Sequence, residues 1–224
     1  MIGPNCLGTL DTYSGFDNIF LPRSRLKRPE KGLISFICQS GAVGSATLDL
    51  LSYEGMKFSK FVSYGNALDI DESDLLEYLG DDPKTGIICM YIEGIADGRK
   101  FMRVASKITK KKPIVVIKGG VTGAGARAAL SHTASLAGAA GVYKGAFRQC
   151  GIIEAEDLED LFNILKVLEK SPPMKGKRVQ VVTNGGGFGI LASDALIKNN
   201  MEMPLPSKKT KACLKKKLAP EAII

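Results

Sequence analysis

The sequence has no tryptophan, a single histidine, and aromatic residues at only 7% of its 224 positions. One histidine cannot supply a His-rich metal centre, and the five cysteines, at positions 6, 38, 89, 150 and 213, make no C-x-x-C pair. No metal is therefore expected on this chain. Cys38, Cys89 and Cys150 fall in or beside apolar segments and read as buried free thiols. No apolar run is long enough to span a bilayer, and Met1-Ile2-Gly3-Pro4-Asn5 has no basic n-region leading into an apolar h-region. A cytoplasmic protein with no membrane partner is the expectation. The formal charge of +8 is spread over Arg23 to Lys31, Arg99 to Lys112 and Lys208 to Lys217 without interleaved stacking rings. That pattern argues for solvated faces, not nucleic-acid binding, and leaves an anionic partner or nucleotide open.

What is present begins with an ordinary globular composition, 45% hydrophobic, enough for a sizeable core and one to two domains. The one histidine, His132, sits in Leu130-Ser131-His132-Thr133-Ala134-Ser135-Leu136-Ala137-Gly138. This run of small residues lies between the apolar strand Ile114-Val115-Val116-Ile117 and a helix expected over 137–147. Open α/β sheets keep their ligands there, outside the carboxyl ends of parallel strands. The bland alternative is a polar surface histidine.

Residues 1–30 sustain no helical or alternating period and read as a loop-rich lead-in, the tail of something upstream. From Gly32 the pattern becomes regular. Leu33-Ile34-Ser35-Phe36-Ile37 is a buried strand, Cys38 to Gly44 a tight turn, and Ser45 to Leu51 a helix. Such a turn aims unsatisfied N–H groups and the positive end of a helix dipole at one point, which suits a phosphate, although a glycine turn often serves only close packing. Phe58 to Val62 is a strand, Glu72 to Leu79 a helix, and Ile87 to Ile92 a strand finishing at Glu93-Gly94. Glu93 is poorly placed for core packing and well placed for a site; its bland alternative is a solvated loop acid. Asp97 caps a helix running to about Lys110, and Gly151-Ile152-Ile153 precedes a helix with Leu158, Leu161, Phe162, Leu165 and Leu168 at helical spacing, stopped by Ser171-Pro172-Pro173. Five successive β-α units predict an α/β fold with a doubly wound, all-parallel, flavodoxin-like sheet over 31–171. After a linker at 172–177, Arg178 to Thr183 reads as a strand, Asn184 to Gly189 as a second glycine turn, and Ile190 to Ile197 as a helix. One β-α unit cannot bury a parallel sheet, so 178–224 is expected to be an incomplete second flavodoxin-like domain.

Taken in order, Gln39-Ser40-Gly41-Ala42-Val43-Gly44, Tyr91-Ile92-Glu93-Gly94, Ser131-His132-Thr133 and Thr183-Asn184-Gly185-Gly186-Gly187 closely resemble the NDP-forming acyl-CoA synthetases. These are ADP-forming acetate-CoA ligases related to succinyl-CoA synthetase. Gly3-Pro4-Asn5-Cys6-Leu7-Gly8 matches the end of that family's CoA-binding Rossmann domain and makes Asn5 a substrate-binding candidate. The resemblance implies a reversible reaction in which acyl-CoA, ADP and phosphate give the acid, CoA and ATP through an acyl phosphate and a phosphorylated histidine. It places His132 at the phosphohistidine and Glu93 at the glutamate that holds it. Ser40, Gly41 and Ala42 fall in one phosphate cradle, and Gly186 and Gly187 in the other. Coenzyme A and ADP or ATP with Mg2+ would be substrates bound mainly by a CoA-binding domain and an ATP-grasp domain or subunit, in a hetero- or homo-oligomer.

Three positions depart from that pattern: Ala134 stands where most relatives have Gly, Val121 where many have Arg, and Phe188 where Pro is frequent. A non-catalytic or regulatory module, such as the one fused to protein acetyltransferases, is the alternative. Retention of both His132 and Glu93 argues against it.

Overall fold

Short apolar runs form the strands β3 (Lys31–Cys38), β4 (Phe58–Ser63), β5 (Ile87–Ile92), β6 (Ile114–Lys118) and β7 (Ile153–Ala155). In this computed structural model, which describes residues 1–122, 140–171, 174–219 and 222, they are hydrogen-bonded in parallel in the order β4-β3-β5-β6-β7. By chain order that is second, first, third, fourth, fifth, the flavodoxin-like arrangement, and the strand order reverses between β3 and β5. Helices α1 (Gly41–Tyr53), α2 (Glu72–Asp81), α3 (Gly98–Ile108), α4 (Ala140–Cys150) and α5 (Leu158–Lys170) alternate with the strands. Side-chain oxygens of Ser40, Asp71, Asp97 and Asp157 cap α1, α2, α3 and α5, each accepting a first-turn N–H.

Strand alternation divides the core into two layers. Ile34, Phe36, Cys38, Ile87, Cys89 and Val115 pack with Leu48, Leu51, Leu161 and Leu165 of α1 and α5. Ile37, Ile88, Met90, Ile92, Ile114 and Val116 pack with Leu76, Phe101, Val104 and Phe147 of α2, α3 and α4. The sheet is thus covered on both faces, as parallel strands require. Helix α1 lies unusually close to it: a Cβ on Gly44 would stand 3.0 Å from the Phe61 ring and 3.1 Å from the Cys38 side chain. Cys38, Cys89 and Cys150 are buried free thiols, as their apolar surroundings predict.

The lead-in is not without elements. Thr9–Asp11 (β1) and Phe16–Asp17 (β2) form a small hairpin, and β1 pairs antiparallel with β4, so the sheet has seven strands and is mixed, not all-parallel. These strands are too short for periodicity to register, and their apolar residues, Leu7, Leu10, Ile19 and Leu26, are buried in the first layer with β3 and α1. Residues Met1–Ser171 consequently make one compact unit.

Pro172–Ile224 make the other. Here the expected strand at 178–183 does not form; Arg178 makes only an isolated parallel bridge to Glu202, because a strand without neighbours has no ladder to join. The expected helix does form, as α6 (Gly186–Lys198), and the Lys-rich stretch yields α7 (Lys208–Lys215). Neither helix buries a residue, and Phe188, Ile190, Leu191 and Ile197 of α6 are exposed. No helix among the described residues is long and apolar enough to cross a membrane.

Glu72, the first residue of α2, is buried with one carboxylate oxygen unpartnered, as are the hydroxyls of Tyr64 and Ser73. Burial, helped by the neighbouring charge of Asp71, pushes its carboxyl up to about 7. A proton affinity raised in the folded state gives stability that is complete at acid pH, below the unfolded value, and is lost as pH rises through about 7. Urea unfolding at pH 5 and pH 8 should show the native chain weakening between the two. Glu72→Gln should come within about 1 kcal/mol of it at pH 5 and exceed it at pH 8 by up to roughly 3 kcal/mol.

Candidate functional site

The carboxyl ends of β3 and β5 lie side by side where the strand order reverses, with Cys38 opposite Tyr91. Beyond β5 the chain leaves the sheet at Glu93, Gly94 and Ile95, and these backbone groups lose their ladder partners. The three N–H groups and the Glu93 carbonyl find substitutes. The Glu93 and Gly94 N–H groups donate to the side-chain oxygen of Gln39, at 2.7 and 3.2 Å. The Ile95 N–H donates to the Tyr143 hydroxyl at 3.2 Å, and the Glu93 carbonyl accepts from the Lys118 ammonium at 2.8 Å. Buried backbone groups left unpaired would cost about 1–3 kcal/mol each, so this turn is held firmly.

The Glu93 side chain is buried as well, at 6% exposure. Its Oε1 accepts from the Tyr91 hydroxyl at 3.3 Å. Burial together with the Glu93 charge holds the Tyr91 phenol well above its usual range, so it stays a donor. Room for this ring depends on Gly119, where a Cβ would stand 2.5 Å from the Tyr91 oxygen. Lys118, buried at the end of β6, also donates to the Gly119 carbonyl and lies 4.7 Å from the centroid of the Tyr143 ring. Burial lowers its pKa, an effect partly offset by the Glu93 charge.

Beside this turn stands the β3–α1 cradle. Ser40 is the N-cap of α1; its hydroxyl oxygen accepts the Val43 N–H at 3.3 Å, which leaves its own proton to donate. Gly41 and Ala42 open the helix, whose first N–H groups have no partner within it. Asn5, Gln39, Ser40, Gly41, Ala42 and Ser45 line one cavity of about 350 Å3. Asn5 adopts a left-handed backbone (φ 55°), and its amide donates to the Asn66 side chain at 3.3 Å. Helix dipole, N–H groups and hydroxyl converge on this cavity, and an anion is the ligand they suit.

The structure therefore brings Asn5, Ser40, Gly41 and Ala42 together, with Glu93 one residue contact away through Gln39. Gly186 and Gly187 begin α6 in the other unit, behind an N-cap, Gly185, that makes no side-chain bond. His132 lies outside the described residues, as does Ala134. Among the described residues no cluster of His, Cys, Asp and Glu is fit to hold a metal ion.

A family model, that of the succinyl-CoA ligase-like flavodoxin domain, matches residues 31–168. The chain belongs to that family. An ADP-forming acetate-CoA ligase of Methanocaldococcus jannaschii is 44% identical over 224 residues, all of this chain and 31% of that protein. The alpha subunit of an ADP-forming acetate-CoA ligase II of Pyrococcus furiosus is 40% identical over the whole chain and 48% of its own length. Among solved structures, an acetyl-coenzyme A synthetase of Ca. Korarchaeum cryptofilum in complex with phosphate and ADP superposes with a TM-score of 0.88 at 41% identity, covering 99% of this chain and 47% of that one. The chain thus spans a third to a half of the length of these relatives, which carry further domains or subunits.

Within this succinyl-CoA ligase-like domain, sequence reasoning picked out Glu93 but gave no role to the residues that hold it. Lys118 carried the same signal as Glu93, a charged residue ending an apolar strand. Gln39 adjoins Ser40 in the turn motif. Nothing in the sequence marked Tyr143.

Gln39→Leu should strand the Glu93 and Gly94 N–H groups and cost about 2 kcal/mol in urea unfolding. Amide exchange at those two residues should quicken while exchange in β6 keeps pace with the global change only.

Proposed function

We propose that this chain is the histidine-bearing part of an ADP-forming acyl-CoA synthetase, with acetyl-CoA as the reference substrate. The observation that carries the proposal is the buried Glu93, fixed at the strand-order reversal beside an anion-suited cradle. It is joined to similarity, over the whole of this chain, to parts of ADP-forming acetate-CoA ligases.

In the forward sense inorganic phosphate attacks the thioester carbonyl, the C–S bond breaks, and CoA leaves as the thiol after taking a proton. The acyl phosphate then meets His132. An imidazole nitrogen attacks phosphorus, the P–O bond to the acyl group breaks, and the carboxylate departs. The other imidazole nitrogen donates to Glu93, which fixes tautomer and orientation and stabilises the positive charge that develops on the ring. Finally a terminal oxygen of ADP attacks the phosphohistidine, releasing neutral imidazole and ATP. The N–H groups at Gly41 and Ala42, with the Ser40 hydroxyl, neutralise charge on the phosphoryl oxygens in the first transfer; Gly186 and Gly187 do so at the second cradle.

In this reading residues 1–30 are the tail of a CoA-binding domain, packed onto the flavodoxin-like sheet, and Asn5 contacts substrate. Residues 31–171 are the phosphohistidine domain, and 178–224 open a second flavodoxin-like domain. CoA and ADP or ATP with Mg2+ are held mainly by CoA-binding and ATP-grasp parts supplied by a longer protein or partner subunits. Such an enzyme works in the cytoplasm, where its substrates are.

Supplied with those parts, the chain should take label from an acyl phosphate, or from ATP and Mg2+, onto His132 in an acid-labile, base-stable linkage. His132→Ala should abolish labelling yet still form acyl phosphate from acyl-CoA and phosphate. Glu93→Gln should slow labelling about 10²-fold or more. Label on Ser131 or Thr133, or ATP synthesis without His132, would overturn the assignment.

A further inference from the structure

Lys118 and Tyr143 stand at the two ends of the segment that contains His132: one closes β6, the other opens the second turn of α4. Across that gap in sequence they touch, with the ammonium 4.7 Å from the ring centroid. Both also bind the same three-residue turn. Lys118 donates to the Glu93 carbonyl at 2.8 Å, and the Tyr143 hydroxyl accepts the Ile95 N–H at 3.2 Å.

Two further facts single this contact out. Lys118 is buried, at 7% exposure, and its described hydrogen-bond acceptors are the Glu93 and Gly119 carbonyls; the remaining face of the ammonium meets a tyrosine ring. A buried lysine is costly and is ordinarily paired with a carboxylate. Here neutral acceptors and a π-face take that part, so the lysine reaches Glu93 through its backbone, and the Glu93 carboxylate is left to Tyr91 and its other contacts. Tyr143 in turn is anchored: its ring lies 5.9 Å from that of Phe147, which lies 6.4 Å from Phe101 of α3.

We propose that Lys118 and Tyr143 form a cation–π clasp that joins the two stems of the histidine segment to the Glu93–Ile95 turn, and that both are positioning residues for phosphoryl transfer to His132. The clasp fixes β6 and α4 to one another and to the turn that carries Glu93, three parts that no covalent neighbour relation joins. Gln39 holds the turn from the opposite side, so losing Lys118 or the Tyr143 hydroxyl would free one flank only and leave the sheet intact. This inference rests on the proposed synthetase function for its kinetic part and on geometry alone for its structural part.

The test uses the assembled synthetase, full-length or with all its subunits. Single-turnover labelling of His132 by ATP and Mg2+ is measured in the native protein, Lys118→Met, Tyr143→Phe and the double variant, with nucleotide KM and melting temperature alongside. Lys118→Met should slow labelling about 10²-fold with KM unchanged within about twofold. Tyr143→Phe keeps the ring and should lose roughly tenfold, and the double variant should fall short of the product of the two because they share one network. Lowered melting temperature with a native labelling rate would reduce the pair to scaffold and overturn the proposal. Amide exchange reads the clasp without the reaction: in Tyr143→Phe the Ile95 amide should exchange at least about tenfold faster, and unchanged exchange there overturns the clasp even if Lys118→Met does not fold. Absence of His132 label in the native protein, with the exchange result as expected, would count against the synthetase function and not against the clasp.

Discussion

Three consecutive N–H groups leave the sheet after β5 with no strand to receive them, and the site is organised by what does receive them. A buried donor must be paired, and at this turn the partners are side chains from three different elements: Gln39 after β3, Tyr143 on α4, and, on the carbonyl side, Lys118 from β6. The requirement arises from position. Between β3 and β5 the crossovers diverge to opposite faces, and among the described residues the backbone at these strand ends is satisfied by side chains from the flanking elements. The same divergence leaves the α1 N-terminus and Asn5 facing a cavity.

Much of the fold was legible because parallel strands buried on both faces are written as continuous apolar runs, and Ile87 to Ile92 is one whose limits can be read directly. Helix starts were legible where a capping aspartate preceded an apolar period, as at Asp97. The hairpin at residues 9–17 was not, since two- and three-residue strands carry no period; neither was the absence of a strand at 178–183, where a sound local pattern lacked the neighbours that make a strand. At the site, motif order pointed to Glu93 and to Ser40, Gly41 and Ala42 as candidates. Their supports were illegible for a physical reason: a hydrogen bond from Lys118 to a main-chain carbonyl leaves no mark on the residue that owns the carbonyl, and Tyr143 looks like any aromatic on an amphipathic helix.

The two units differ in how they are held together. Met1–Ser171 has two apolar layers on a seven-stranded sheet, with the charges of Lys60 and Asp82 paired at 2.8 Å on its margin. In Pro172–Ile224 helices α6 and α7 bury no residue. A glycine-led helix N-terminus occurs in both; that of α1 is capped by the Ser40 side chain and lines a cavity with Asn5 and Gln39, whereas the Gly185 N-cap of α6 makes no side-chain bond.

The antiparallel strand β1 has a bearing on where this domain stops. The family pattern covers residues 31–168, yet β4, buried at all six positions, has its outer hydrogen-bonding edge occupied by Thr9–Asp11. Without that strand the six-residue β4 would present unpaired N–H and C=O groups at an open edge, the kind of edge that recruits other chains. The stretch that the family pattern matches and the stretch that completes the sheet are thus different lengths of the same polypeptide.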